Sequence, residues 1–173
     1  MGIAVRQLRL EDERSHFHSG NIDLDRFFQK YAGQNQFRHH IGTTYVAVDG
    51  GQVLGFATVA PSEIDVERIP ASRRKRLPKY PTPVLRLARL AADERARGRG
   101  IGRVLLRAVF VLAKQMSRDY GCVGVVVDAK PDAVSFYERY GFVVLPSITG
   151  QLGDQPQPQP MFLELGAIPD SIK

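Results

Sequence analysis

The chain is 173 residues long, which suits one domain of ordinary size and leaves too little for two. Hydrophobic residues make up 43% and charged residues 24%, enough apolar side chains for a packed core, so disorder, collagen-like repeats and disulfide-stapled miniproteins are excluded. One cysteine, Cys122, rules out an internal disulfide and a cysteine-rich zinc site, while 24 Lys and Arg against 18 Asp and Glu leave a net +6 that favours an anionic partner.

The longest apolar runs fall short of the roughly 20 residues a membrane span needs, and residues 1–10 alternate like a strand instead of forming a basic-then-apolar leader. The expectation is a soluble cytoplasmic protein with no membrane partner. In chain order, residues 3–8 read as a first strand. Asn21 or Asp23 can cap a helix whose Leu24, Phe27, Phe28 and Tyr31 share one face at helical spacing. Residues 43–48 and 53–60 are β-branched-rich runs joined by Asp49-Gly50-Gly51, which predicts an antiparallel hairpin.

Residues 61–83 break this pattern with five prolines and the basic run Arg73-Arg74-Lys75-Arg76, and they read as an excursion from the core. A strand over 84–91 precedes a long helix over 100–117, with Ile101, Val104, Leu105, Ala108, Val109, Leu112 and Ala113 as its apolar stripe. Residues 122–127 suit a strand covered on both faces. A helix over 132–140 ends at Gly141, strands follow at 142–145 and 161–165, and 150–160 is a Gln/Pro-rich loop. The order predicts an α/β fold: a single mixed, mostly antiparallel sheet with helices on both faces, spanning 1–173 as one domain.

Arg97-Gly98-Arg99-Gly100-Ile101-Gly102 lies between a strand and the long helix. Glycines let successive N–H groups converge without a Cβ to hold an anion away, and the helix start adds unsatisfied N–H groups and the positive dipole end. Arg95, Arg97, Arg99 and Arg103 surround the turn, so a phosphate or pyrophosphate ligand follows. A nucleotide P-loop needs Gly-Lys-Ser/Thr and finds Arg103-Val104; a dinucleotide fingerprint needs a third glycine and finds Leu105 or Arg103.

Arg97-x-x-Gly100-x-Gly102 resembles the acetyl-CoA pyrophosphate signature of the GNAT N-acetyltransferases. Phe136-Tyr137-Glu138-Arg139-Tyr140-Gly141-Phe142 is similar to that family's Phe-Tyr-x-x-x-Gly-Phe segment. The resemblance implies the GNAT fold with its splayed central strand pair, and acetyl-CoA as acetyl donor. It implies that Arg97, Gly98, Arg99, Gly100, Ile101, Gly102 and Arg103 hold pyrophosphate. Leu90 and Ala91 would guide the pantetheine arm, Phe136 would join the cofactor site, and Tyr137 would protonate the departing thiolate. A phenol is a stable proton donor at neutral pH, which suits that role. The chain departs from the family at Lys130, where many members carry an Asn that contacts pantetheine.

Phe17-x-Ser19-Gly20-Asn21-x-x-Leu24-Asp25-Arg26-Phe27 resembles a GNAT subgroup, the toxins of bacterial toxin–antitoxin pairs. Ala32-x-Gln34-Asn35-Gln36, residues 44–48, Leu87-Ala88-Arg89-Leu90-Ala91 and Val127-Asp128-Ala129 extend the similarity. It implies acetylation of the amino acid on aminoacyl-tRNA, a ribbon-helix-helix antitoxin as partner and a homodimer. Arg73, Arg74, Lys75, Arg76 and Lys79, with Arg68, form a cluster suited to tRNA phosphates, although a basic run is also an ordinary solvated loop; Arg38, His39 and His40 are possible additions. An α-amine with a pKa of about 8 needs no strong base, and Glu63 could assist through water. Cys122, opening an apolar strand, reads as a structural thiol and not an acetyl carrier, and the histidines suggest no metal. Two alternatives stand: a GNAT enzyme for a small or protein amine, and a non-catalytic CoA-binding protein.

Overall fold

The computed structural model describes residues 2–74, 77–79, 81–146 and 158–168, with only the backbone described at 73 and 74. Seven strands form one mixed sheet in the order β1-β2-β3-β4-β5-β7-β6: β1 (Ala4–Gln7), β2 (Thr43–Asp49), β3 (Gln52–Ile64), β4 (Thr82–Ala92), β5 (Gly124–Ala129), β6 (Val143–Val144) and β7 (Gln159–Glu164). The chain divides into two compact units, Met1–Ala60 with Leu87–Val111 and Pro61–Arg86 with Leu112–Lys173.

In the first unit, β1 and β2 pair antiparallel, as do β2 and β3. The predicted hairpin is present, with Asp49 opposite Gln52 across Gly50 (φ 56°) and Gly51 (φ 84°). Two successive positive φ values make a type I′ turn, whose twist matches that of the strands it joins. Thr44 and Thr58, both buried, pair their hydroxyls at 2.7 Å, so neither is left unsatisfied in the core.

Asn21 caps α1 (Ile22–Arg26), its Oδ1 accepting from the Leu24 amide at 3.0 Å. A π-helical turn, Phe27–Tyr31, interrupts the helix before α2 (Ala32–Phe37). That turn corrects the predicted face. Phe27 and Phe28 are buried and Leu24 packs against them, but Tyr31 is 47% exposed. Closing i→i+5 between the Ala32 amide and the Phe27 carbonyl rotates Tyr31 off the face that a 3.6-residue period assigns to it. Arg14 donates to the Phe28 carbonyl at 3.0 Å, at the point where the regular ladder is broken. The core is aromatic: Phe28 and Phe56 stack at 4.4 Å, and Phe17 meets them edge-on at 4.8 and 5.5 Å. Each such ring removed from water contributes roughly 1.5–3 kcal/mol.

In the second unit, part of the stretch expected to leave the core instead contributes to it. β3 runs on through Pro61 to Ile64, and a 3-10 turn (Val66–Arg68) and α3 (Ala71–Arg74) lead to β4, which already begins at Thr82. Ile64 and Ile69 are buried with Val84, Leu145 and Phe162, and Leu77 packs against them. The prolines mislead because Pro61 and Pro83 occupy strand positions where the side chain faces solvent. β7 pairs antiparallel with β5 on one side and β6 on the other. β5 begins two residues later than the apolar run, because Cys122 and Val123 lead into it, with the Val123 amide bonded to the Pro83 carbonyl at 2.9 Å. Of the Gln/Pro-rich loop, residues 150–157 lie outside the described residues, and β7 takes up its last two positions.

α4 (Ile101–Asp119) buries Leu105, Leu106, Val109, Phe110, Ala113 and Met116. Among the described residues no helix is long and apolar enough to cross a membrane.

Candidate active site

In the first unit, β4 delivers Leu90 (half-buried) and Ala91 (buried), then Asp93, a 3-10 turn (Glu94–Ala96) and the glycine turn. Gly98 and Gly100 take φ of 83° and 72°, which only glycine adopts without strain. Nothing lies within 4 Å of a Cβ built on Gly98, and only the Arg103 Nε, at 4.0 Å, approaches one on Gly100. Both glycines are therefore demanded by backbone conformation and not by packing, and they leave an open surface beside the backbone. The Gly100 carbonyl accepts from the Val104 amide at 3.0 Å, so α4 starts at this point, and the amides of its first turn have no intrahelical acceptor. An open cradle of backbone donors at the positive end of a 19-residue helix fits a pyrophosphate.

The arginines around the turn are less available than their number suggests. Arg95 forms a fork with Asp93, Nε to Oδ1 and Nη2 to Oδ2, both at 2.9 Å. Arg99 reaches Asp49 at 2.7 Å and Arg97 lies 3.7 Å from Glu94. Asp93, Asp49 and Glu94 thus stand beside Arg95, Arg99 and Arg97. Arg95 is held for structure, and the exposed Arg97 pair is too long and too solvated to tie that side chain down.

Asp93 is the organising residue that sequence reading missed. Its side chain is fully buried and accepts from the His18 amide at 3.2 Å and the Arg95 amide at 2.9 Å, besides the guanidinium. The Glu94 amide donates to the His18 carbonyl at 2.9 Å, and a Cβ on Gly20 (φ 94°) would lie 2.8 Å from Glu94 Oε1. Ser19 in turn donates to Asp25 Oδ1 from both its amide and its hydroxyl. The Phe17-x-Ser19-Gly20-Asn21 motif is therefore a clasp between the entrance to α1 and the segment leading into the glycine turn. An acid capping a short turn just before that segment was the available signal.

Burial pushes the Asp93 carboxyl up, but the Arg95 guanidinium and the Arg95 and His18 amides outweigh it and hold the carboxyl below its usual range. A lowered native pKa adds stability that is present above the unfolded value of about 3.9 and is lost as pH falls through the native one. Asp93→Asn is expected to lose about 1–3 kcal/mol at pH 7 in urea unfolding. The difference from wild type should narrow below pH 4; a difference that stays constant would mean that the charge is not what the clasp uses.

In the second unit, a 3-10 turn (Pro131–Ala133) leads from Lys130 into α5 (Val134–Arg139). The Phe142 amide donates to the Tyr137 carbonyl at 3.2 Å and the Gly141 amide to the Glu138 carbonyl at 3.0 Å, with Gly141 at φ 96°. This is a Schellman ending, and its apolar contact is the Tyr137–Phe142 ring pair at 5.3 Å. Phe136 packs edge-on against Tyr137 at 5.1 Å and Tyr140 at 5.2 Å. The spacing Phe-Tyr-x-x-x-Gly-Phe thus has a local physical reason: the glycine ends the helix and the last Phe locks the tyrosine.

Tyr137 is 5% exposed, and its hydroxyl makes no hydrogen bond to any described residue. Burial pushes its pKa well above that of a free phenol, so it stays protonated. Cys122 is buried, donates to the Gly124 carbonyl at 3.2 Å, and is also pushed up by burial, an inert thiol rather than a nucleophile. Lys79 is exposed and Arg68 half-buried. The side chains of Arg73, Arg74, Lys75 and Arg76 lie outside the described residues, and Glu63 is exposed on β3.

Residues 40–144 match the family model described as an acetyltransferase (GNAT) domain. A tRNA-acetylating toxin of Mycobacterium tuberculosis (strain ATCC 25618 / H37Rv) is 31% identical over 145 residues, 83% of this chain and 86% of that protein. The fold is similar to that of AtaT complexed with acetyl-methionyl-tRNAfMet, with a TM-score of 0.82 and 23% identity over 96% of both chains. It is also similar to a tyrosine-to-phenylalanine mutant of AtaT bound to the C-terminus of the antitoxin AtaR and acetyl-CoA, with a TM-score of 0.74 and 21% identity over 96% of both chains.

Proposed function

The chain belongs to the acetyltransferase (GNAT) family, and from that premise we propose that it acetylates the amino acid carried by aminoacyl-tRNA, as a translation-blocking toxin. The observation that carries the acceptor is the 31% identity to a tRNA-acetylating toxin along 83% of the chain, a match longer than the stretch covered by the family model. As its partners we propose a small antitoxin of ribbon-helix-helix type and a second copy of the chain, in keeping with the toxin resemblance.

Acetyl-CoA, when bound, supplies an acetyl group on a thiolate leaving group. The open glycine turn with Arg97, Gly98, Arg99, Gly100, Ile101, Gly102 and Arg103 would hold its pyrophosphate, Leu90 and Ala91 would align the pantetheine arm, and Phe136 would contribute to cofactor binding, as the family resemblance implies. The acceptor α-amine forms the new N–C bond as the C–S bond breaks; the nitrogen loses one proton and the sulfur gains one. Tyr137 would give the sulfur its proton, while the proton lost by nitrogen passes to water, from which the Tyr137 phenolate is reprotonated. Its buried hydroxyl, without a partner among the described residues, has a donor hydrogen to offer.

Purified protein with labelled acetyl-CoA should label aminoacyl-tRNA and leave the free amino acid and lysine peptides unlabelled. Equal labelling of small amines would replace this reading with a small-amine enzyme, and CoA binding without transfer to any amine would leave a binding protein. If the basic run faces tRNA, replacing Arg73, Arg74, Lys75 and Arg76 with Gln should weaken binding and reduce the dependence of log K on log[salt] by about 0.9 per lost phosphate contact. An unchanged slope would remove that run from the interface.

A further inference from the structure

Asp49 ends β2 and opens the Asp49-Gly50-Gly51 turn, a position from which an aspartate often bonds to its own backbone two residues on. This carboxylate does not. Among the described residues its side-chain partner is Arg99, 50 positions along the chain, whose Nη2 donates to Oδ2 at 2.7 Å. Both side chains are partly solvated, 44% exposed for Arg99 and 28% for Asp49, and ion pairs of that kind contribute little to stability. Arg97, on the other side of Gly98, has no such anchor: it is 80% exposed and lies 3.7 Å from Glu94. Two arginines of one turn are thus held differently, and the one that is held is tied to a different strand.

Arg99 lies between Gly98 and Gly100, whose φ values of 83° and 72° shape the backbone on either side of it. Its amide is already spent on the Ala96 carbonyl at 3.1 Å, so toward an anion in the turn Arg99 acts only through its guanidinium. We propose that Asp49 is a positioning residue for the cofactor: it holds the Arg99 guanidinium at the glycine turn, where the N–H donors left over from the ion pair meet a phosphate oxygen of acetyl-CoA. The assignment rests on the reading that this turn holds pyrophosphate. The contact with Asp49 uses one of the five donors of a planar fork and leaves the others to a ligand. A free arginine side chain gives up rotamer freedom when it binds; one already anchored to a strand end gives up less, and the difference appears as affinity. The carboxylate also repels a phosphate, but across solvent that repulsion is weak. Positioning is therefore the larger effect.

The experiment is a double-mutant cycle on the affinity for coenzyme A, measured by titration calorimetry with steady-state kinetics alongside. Asp49→Ala is expected to weaken binding by about fivefold and to raise the KM for acetyl-CoA by the same factor. Its kcat should stay unchanged, because the contact is made equally in the ground and transition states. Asp49→Asn, which keeps an oxygen to accept from the guanidinium, should lose less. In an Arg99→Gln background Asp49→Ala should cost nothing further, since Asp49 acts only through that arginine. A loosened hairpin would instead weaken binding equally in both backgrounds, and that result overturns the assignment. So does an Asp49→Ala variant that binds coenzyme A as tightly as wild type or more tightly, which would make repulsion the larger effect. If Gly100→Glu and Arg99→Gln both keep wild-type affinity, the cradle reading fails first and takes this assignment with it.

Discussion

Tyr137→Phe is expected to lower kcat by about 10²–10⁴-fold while leaving the affinity for acetyl-CoA and the fold intact. The separation follows from the environment of the hydroxyl. It is buried and unpartnered among the described residues, so its removal breaks no protein hydrogen bond and takes away a desolvation penalty. The ring contacts with Phe136 and Phe142 survive in phenylalanine. The thermal midpoint should therefore stay level or rise slightly while turnover collapses. A variant that keeps wild-type kcat would remove Tyr137 as the proton donor; one that loses turnover only because it unfolds would show a lower midpoint.

The same residue makes a pH prediction. Its native pKa is raised by burial, whereas in the unfolded chain it is near 10. The native state therefore holds the proton to higher pH than the unfolded state does. Stability contributed in this way is fully present below pH 10 and declines as pH rises above it. Tyr137→Phe should lack that alkaline decline, which urea unfolding at pH 9 and pH 11 would show.

Gly100→Glu is the second large effect. It places a carboxylate in the proposed pyrophosphate cradle and forces a side chain onto a backbone at φ 72°. The KM for acetyl-CoA is expected to rise by at least two orders of magnitude. Gly100→Ala is the control, because a Cβ there meets nothing nearer than the Arg103 Nε at 4.0 Å, and its cost is the left-handed conformation alone, about 1–2 kcal/mol. If both variants raise the KM equally, strain and not charge is responsible. If neither raises it, the turn does not hold the cofactor.

What could be read from the sequence were the features whose causes are local. Asp49-Gly50-Gly51 specifies a two-residue hairpin turn because only glycine takes both positive φ values without strain. Gly98 and Gly100 announce a strand-to-helix turn for the same reason, and Phe-Tyr-x-x-x-Gly-Phe encodes its own helix ending. The family and its cofactor were legible because those motifs lie close together in the chain.

Other features were decided only by the tertiary structure, and each depends on groups distant in sequence. Residues 61–83 look like an excursion because prolines dominate any local window, yet Ile64 and Ile69 are claimed by Leu145 and Phe162 from the far end of the chain. Tyr31 leaves the buried face because the helix widens into a π turn, where a 3.6-residue period no longer holds. Within the ring of arginines, Arg95 and Arg99 are engaged by Asp93 and Asp49, and Asp93 became the clasp by accepting from the His18 amide, 75 positions away. Arg89 met Phe27 by the same route. The sequence by itself settled the turns, the family motifs and the excess of positive charge; folding settled which of those charges remain to meet a ligand, because a salt bridge depends on distance in space and not along the chain.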